Sequence, residues 1–313
     1  MTMDAVTDLP ADLPRHAAAP LEAVPAETIV EWPVGTFVEN LAVLANGAIA
    51  ISVHTDNAVE WYLPGNRKMR TPLPVPPAGL VARRGGGFYV AGGVPGEAPG
   101  RVWRVETDGS AALAADLADA LFLNGMTPLE DGALLAADSI LGCLWRIDPR
   151  TGAHERWFAD RRLGKVTSFP LMPGANGLKI HSGYVYVTNT DRAELLRIPI
   201  AGDGTAGALE VVAEGLRGDD LAFDAEGAAY VATHIHNGVL RLSPDGTRRD
   251  VAGPLQGMPG STAVAFGRGD GDRSDVYVTT TGGLIGPYEG VARTAKLVRL
   301  SVGVAGAPIP LID

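Results

Sequence analysis

Asp219 and Asp220 stand side by side in GDDLAFDAEGAAYVATH, residues 218–234, directly before an apolar run, and His234 ends the stretch. Carboxylate oxygens suit hard cations, and imidazole titrates near neutral pH, so this trio carries the makings of a metal site or a proton-transfer site. The same residue types also build ordinary turns. Their role depends on the elements that hold them and on what else arrives at the same place.

The stretch is one copy of a phrase that occurs six times: ENLAVLANGAIAISVH from Glu39, AGLVARRGGGFYVAGG from Ala78, NGMTPLEDGALLAAD from Asn124, NGLKIHSGYVYVTN from Asn176, DDLAFDAEGAAYVATH from Asp219 and TAVAFGRGDGDRSDVYVTT from Thr262. Successive starts lie 39, 46, 52, 43 and 43 residues apart. That period, with short β-rich runs between Gly, Pro, Asn and Asp clusters, belongs to propeller blades of four strands. A β-sandwich does not repeat one phrase six times. The expected fold is all-β, a six-bladed β-propeller with four antiparallel strands per blade, forming a single domain over residues 26–313. ETIVEW and KLVRL are expected to pair at the seam so that the ring closes without a bare edge. Residues 1–25 hold too little apolar side chain to repay ordering and read as a disordered leader.

Adjacent strands of a blade run antiparallel, so the entry to each inner strand and the exit from each second strand share one rim. The pairs Glu39/His54, Ala78/Gly92, Asn124/Asp138, Asn176/Asn189 and Asp219/His234 are therefore expected at one mouth of the channel, with Thr262 completing the ring. Inward-pointing oxygens there fit a hard divalent cation, with calcium the best match, and Glu39, Asn176 and Asp219 supply two charges and one neutral oxygen. His54 and His234 are candidate proton carriers or substrate contacts. Asp138, Asn189 and Thr262 join the expected substrate-facing rim.

The formal net charge of -10 and scattered basic residues argue against nucleic-acid or anionic-membrane partners. Cys143 is the only cysteine, which excludes an intrachain disulfide and a cysteine-rich zinc site. No signal peptide or long apolar span is legible, and a cytoplasmic chain acting on a small molecule is expected. G-x-S-x-G and H-E-x-x-H are absent. DGDRSD, residues 270–275, echoes a calcium loop but lacks its glycine and closing glutamate, so a hairpin insertion is expected. GGLIGPYEG, residues 282–290, is a candidate lid.

ENLAV, the NGM at Asn124, ANGLKI and GDDLAFDAEG resemble the senescence-marker-protein, gluconolactonase and regucalcin group of six-bladed propellers. The resemblance covers roughly residues 31–300. It implies that Glu39, Asn176 and Asp219 are metal ligands, that Asn124 is the pocket asparagine contacting substrate or water, and that the reaction is hydrolysis of a lactone or ester. Asp220 replaces the family's glycine. Sugar-lactone members carry an arginine two positions before the pocket asparagine, where this chain has Phe122, which favours an apolar or aromatic substrate. The phrases are also similar to a branch of fungal natural-product pathway proteins, some of them cyclases or pericyclic catalysts. The expected activity is metal-dependent hydrolysis of a lactone or ester with an apolar substituent, with proton transfer by Asp219 or His234; the alternative is a cyclase on the same scaffold, whose pocket orients a reactive intermediate and whose polar rim stabilises developing charge.

Overall fold

The structure, a computed structural model, describes residues 3–9, 13–16, 18–19, 21–65 and 67–313. Six four-stranded antiparallel sheets account for the described strands. The inner strands are Val38–Val43, Pro77–Ala82, Leu123–Pro128, Ala175–His181, Leu221–Phe223 and Ser261–Phe266. Each expected phrase start falls within or just before one of them. The last blade is completed by the first strand, Ala26–Trp32, which pairs antiparallel with Ala295–Ser301. The ring closes at the expected seam.

Cores lie between blades. Alternating apolar residues of one sheet pack on the facing sheet, as where Trp61, Phe88, Val90 and Trp103 join the first two blades. Hydroxyls at the ends of second strands latch one blade to the next. Ser139 donates to the Ala175 carbonyl at 2.6 Å, and Thr190 to the Gly218 carbonyl at 2.7 Å. Each latch satisfies a buried carbonyl at the start of the next inner strand or just ahead of it.

The inner strands break register at the phrase starts. Shifts fall between Val38 and Leu41, Pro77 and Leu80, Leu123 and Met126, Ala175 and Leu178, and Ser261 and Ala263. A bulge re-aims side chains that would otherwise alternate in the pleat. It also brings the strand close to its neighbour, which explains the glycine in AG, NG and NG. A Cβ on Gly177 would lie 2.5 Å from the Asp219 carbonyl oxygen and 2.5 Å from Asp220 Cα. Gly177→Ala is therefore expected to cost about 1–3 kcal/mol through overpacking against backbone, checked by urea unfolding. Unchanged stability would show that the two inner strands separate freely.

Register places Val38 opposite Val53, Pro77 opposite Gly92, Leu123 opposite Asp138 and Ala175 opposite Asn189. Phrase starts and second-strand ends share one rim, as the spacing predicts. DGDRSD forms the turn of the hairpin between Ser261–Phe266 and Asp275–Thr280. No helix among the described residues is long and apolar enough to cross a membrane.

Described parts of residues 3–25 cross this rim and then follow the outer strand Arg248–Ala252, where Ala19, Glu22 and Val24 donate to the carbonyls of Arg248, Asp250 and Val251. Val6 N–H donates to Leu284 and Gly286 N–H donates to Val6, at 2.6 and 3.0 Å. His16 Nε2 lies 2.7 Å from Asp250 Oδ1. Leu9 and Leu13 pack with Met172, Ile235 and Ile285. The propeller thus supplies the apolar partner that the leader's own sequence lacks. The remaining leader residues, Met1, Thr2, Pro10, Ala11, Asp12, Ala17 and Pro20, lie outside the described residues.

Candidate active site

At the rim carrying the phrase starts, the channel opens into a cavity of about 300 Å³. Glu39, Asn124, Asn176, Asp219 and His234 form its polar floor, and His54 and Phe122 stand in its wall. Seven of the ten expected site residues therefore meet in one place.

Asp219 is the centre of the floor. Asn176 Nδ2 donates to Oδ1 at 2.8 Å, and His234 Nδ1 lies 2.9 Å from Oδ2. Asn176 also donates to Thr190 Oγ1 at 3.0 Å. His234 Nε2 faces Thr281 Oγ1 at 3.4 Å. Glu39 is only 8% exposed, and its carboxyl has no hydrogen-bond partner among the described residues. The Asn124 side chain, 3% exposed, is equally free for a ligand.

Burial governs the electrostatics. It pushes Glu39 up to about 8, helped by the Asp219 charge, and raises Asp219 well above the carboxylate range, helped by Asp220. It pushes His234 down to about 4. Burial thus favours the neutral form of each partner in the Asp219–His234 bond. No lysine or arginine among the described residues compensates Glu39 or Asp219. Two convergent carboxyls, with amide oxygens beside them, are the donor chemistry of a hard-cation site. Each Asp219 oxygen keeps acceptor capacity beyond its one hydrogen bond, and Asn176 has its Oδ1 to offer. The residues fit such an ion.

The walls are apolar. Phe37 lies between the two histidines, its ring centroid 5.7 Å from each. His54 Nδ1 donates to the Pro77 carbonyl at 3.1 Å, and burial lowers its pKa, so it packs as a neutral ring. Phe122, Ile140, Leu171 and Ile285 supply much of the apolar lining. Ile285 belongs to GGLIGPYEG, so that connection does reach the cavity.

Asp138, Asn189 and Thr262 are not brought to it; they sit one layer back and hold what lines it. The fully buried Asp138 carboxylate accepts from the amides of Leu121, Ile140 and Leu141 at 2.9, 3.2 and 3.0 Å, fixing the loops that present Phe122 and Ile140. Asn189 Nδ2 donates to the carbonyls of Arg162 and Gly164 at 2.7 and 3.1 Å. Thr262 Oγ1 donates to the Val38 carbonyl at 2.8 Å, securing the strand that carries Glu39. A polar residue at a strand end satisfies loop backbone as readily as it faces a ligand, and sequence register does not separate the two.

Asp220 points elsewhere in the channel. Lys179 Nζ binds both its carboxylate oxygens, at 2.6 and 2.9 Å; the Asp220 carboxylate is buried and the lysine partly so. The carboxylate in the family's glycine position is thus matched by a lysine one blade earlier.

Residues 160–174 also line the site, through Lys165, Pro170, Leu171 and Pro173. The sequence signal was the interval of 52 residues between Asn124 and Asn176, the longest of the five.

The fold and this pocket define a propeller enzyme. The family model described as "SMP-30/Gluconolactonase/LRE-like region" matches residues 149–282. A protein of Sarocladium schorii named "Putative hetero-Diels-Alderase" is 26% identical over 84% of this chain and 79% of its own length. A 6-deoxy-6-sulfogluconolactonase of Pseudomonas putida is 30% identical over 45% of this chain and 49% of its own length. Among solved structures, a calcium-binding protein, regucalcin, from Agrobacterium tumefaciens superposes with a TM-score of 0.70 at 19% identity, covering 94% of this chain and 99% of that one. The chain is thus similar to SMP-30/gluconolactonase-like proteins over residues 149–282 and to fungal relatives along most of its length, and it shares the propeller fold of the solved structures.

Proposed function

We propose that the protein hydrolyses a lactone or related ester bearing an apolar substituent, with a divalent cation, calcium the best match, held by Glu39, Asn176 and Asp219. The carrying observation is the pair of buried carboxyls, Glu39 and Asp219, converging without a compensating basic side chain at the floor of an apolar cavity. Family-level lactonase activity supports the reaction class. When bound, the ion supplies electrophilic activation of a carbonyl and of water.

The chain's own residues do the rest. Asn124 Nδ2 is free to donate to a substrate oxygen. Asp219 fixes the His234 ring through Nδ1, and the pair holds or moves one proton between Oδ2 and Nδ1 as charge develops. Phe122, Ile140 and Leu171 seat the apolar substituent and exclude water, which strengthens every polar contact on the floor. An arginine at position 122 would have favoured hydroxyl-rich lactones; the phenyl ring does not.

Purified protein is expected to carry about one divalent ion per chain by mass spectrometry of the metal. Chelator is expected to remove both the ion and hydrolysis of alkyl- or aryl-substituted lactones, and calcium to restore them. Full lactone turnover by ion-free protein would sink the metal-dependent reading.

One observation favours a second reading, a cyclase that needs only the polar floor. The hetero-Diels-Alderase relative matches along most of the chain, whereas the lactonase relative matches under half. In that reading Glu39 and Asn124 hydrogen-bond a substrate carbonyl within apolar walls that fix the reacting geometry. Cyclisation of a precursor that survives chelation, without lactone turnover, would select it.

A further inference from the structure

Lys165 is a charged group that neither reading uses. It lines the cavity from the segment of residues 160–174, and its Nζ donates to the Phe169 carbonyl at 2.8 Å. The sequence has four lysines. Lys179 pairs with Asp220, Lys296 with Glu31, and Lys68 lies over the Tyr62 ring. Lys165 has no carboxylate within ion-pair distance among the described residues. A partly buried ammonium keeps two donors to spare, and apolar side chains line the cavity beside it.

Its position is built. The Asp191 carboxylate, 2% exposed, accepts from the amides of Val166 and Thr167 at 2.5 and 2.8 Å and from the Thr167 hydroxyl. Asn189 holds the Arg162 and Gly164 carbonyls from the other side, and Arg192 Nε adds a bond to Gly164 at 3.0 Å. Polar groups thus clamp the backbone on both sides of Lys165, far more than a passing surface loop needs.

We propose that Lys165 is a specificity residue that receives a carboxylate on the substrate, so the ligand class is an apolar acid: a carboxylate, an apolar body, and a reacting oxygen function at the Glu39/Asp219 floor. The floor offers amides and carboxyls that burial drives toward their neutral forms, so it has no positive charge to hold an anion, and Lys165 supplies one. An amphiphile of that kind is therefore bound in a single direction, with the reacting end down. This rests on the reading of the cavity as the active site, but not on which reaction occurs there.

The test is calorimetric binding of phenylbutyrate and phenylbutanol, run in chelator so that an ion at the floor cannot hold the acid. Wild-type protein is expected to bind the acid roughly ten-fold or more tighter than the alcohol, the scale of one charge-assisted contact in a partly dry site. Lys165→Met and Lys165→Gln are expected to bring the acid to the alcohol's affinity and leave the alcohol's unchanged, which also reports that the pocket is intact. Equal binding by wild type, binding of neither probe, or an acid preference that survives both substitutions overturns the proposal. The reaction is scored separately: acid preference without lactone turnover retires the hydrolase and keeps Lys165, and turnover without acid preference does the reverse.

Discussion

Replacing Asp219 by asparagine is expected to lower kcat/KM by about a thousand-fold, the scale of losing both a cation ligand and a proton-transfer partner. Asp219 is the residue that Asn176 and His234 both bond, so one substitution removes a charge from the floor and releases the orientation of the imidazole. Asparagine keeps the shape, and burial already drives Asp219 toward its neutral form. Folding is therefore expected to survive, with a thermal midpoint in chelator no lower than wild type. The measurement is kcat/KM on whichever substrate the wild type turns over, with circular dichroism melts in parallel. Activity within about ten-fold of wild type would remove Asp219 from the chemistry.

The largest expected effect on stability lies at the other charged pair. Lys179→Met leaves Asp220 buried and unpaired, which is expected to cost about 3–5 kcal/mol and to lower the thermal midpoint by on the order of 10 °C. Burial already raises the Asp220 pKa against the pull of Lys179, so the carboxylate depends on that ammonium. The double variant Lys179→Met/Asp220→Asn is expected to recover most of the loss, because Asn40 and the backbone still offer partners to an amide. If the single and double variants melt alike, the pair contributes no coupling and Asp220 is tolerated for another reason.

Much of this architecture was legible because a propeller writes itself six times. The near-constant spacing of 13 to 15 residues between phrase starts and second-strand ends placed a rim, and Glu39, Asn124, Asn176, Asp219 and His234 did meet there. Asp138, Asn189 and Thr262 share that register but serve backbone groups, since sequence shows which end of a strand a residue occupies and not which neighbour claims its hydrogen bonds. Lys165 and Leu171 escaped because a connection without periodicity gives no direction to its side chains. Asp220 was unreadable alone; its partner Lys179 follows Asn176 by three positions, in a blade whose bulge sets their approach.

The seam has a consequence for synthesis on the ribosome. Glu39 leaves the tunnel early, yet its strand is secured by Thr262 of the last blade, and that blade needs Ala26–Trp32 from the start of the chain. The floor of the pocket is thus complete only after the last blade has emerged and Ala26–Trp32 has paired with it. Pairing so distant in sequence is slow to nucleate, which leaves the unclosed ring with exposed strand edges as the stage most open to aggregation or chaperone capture.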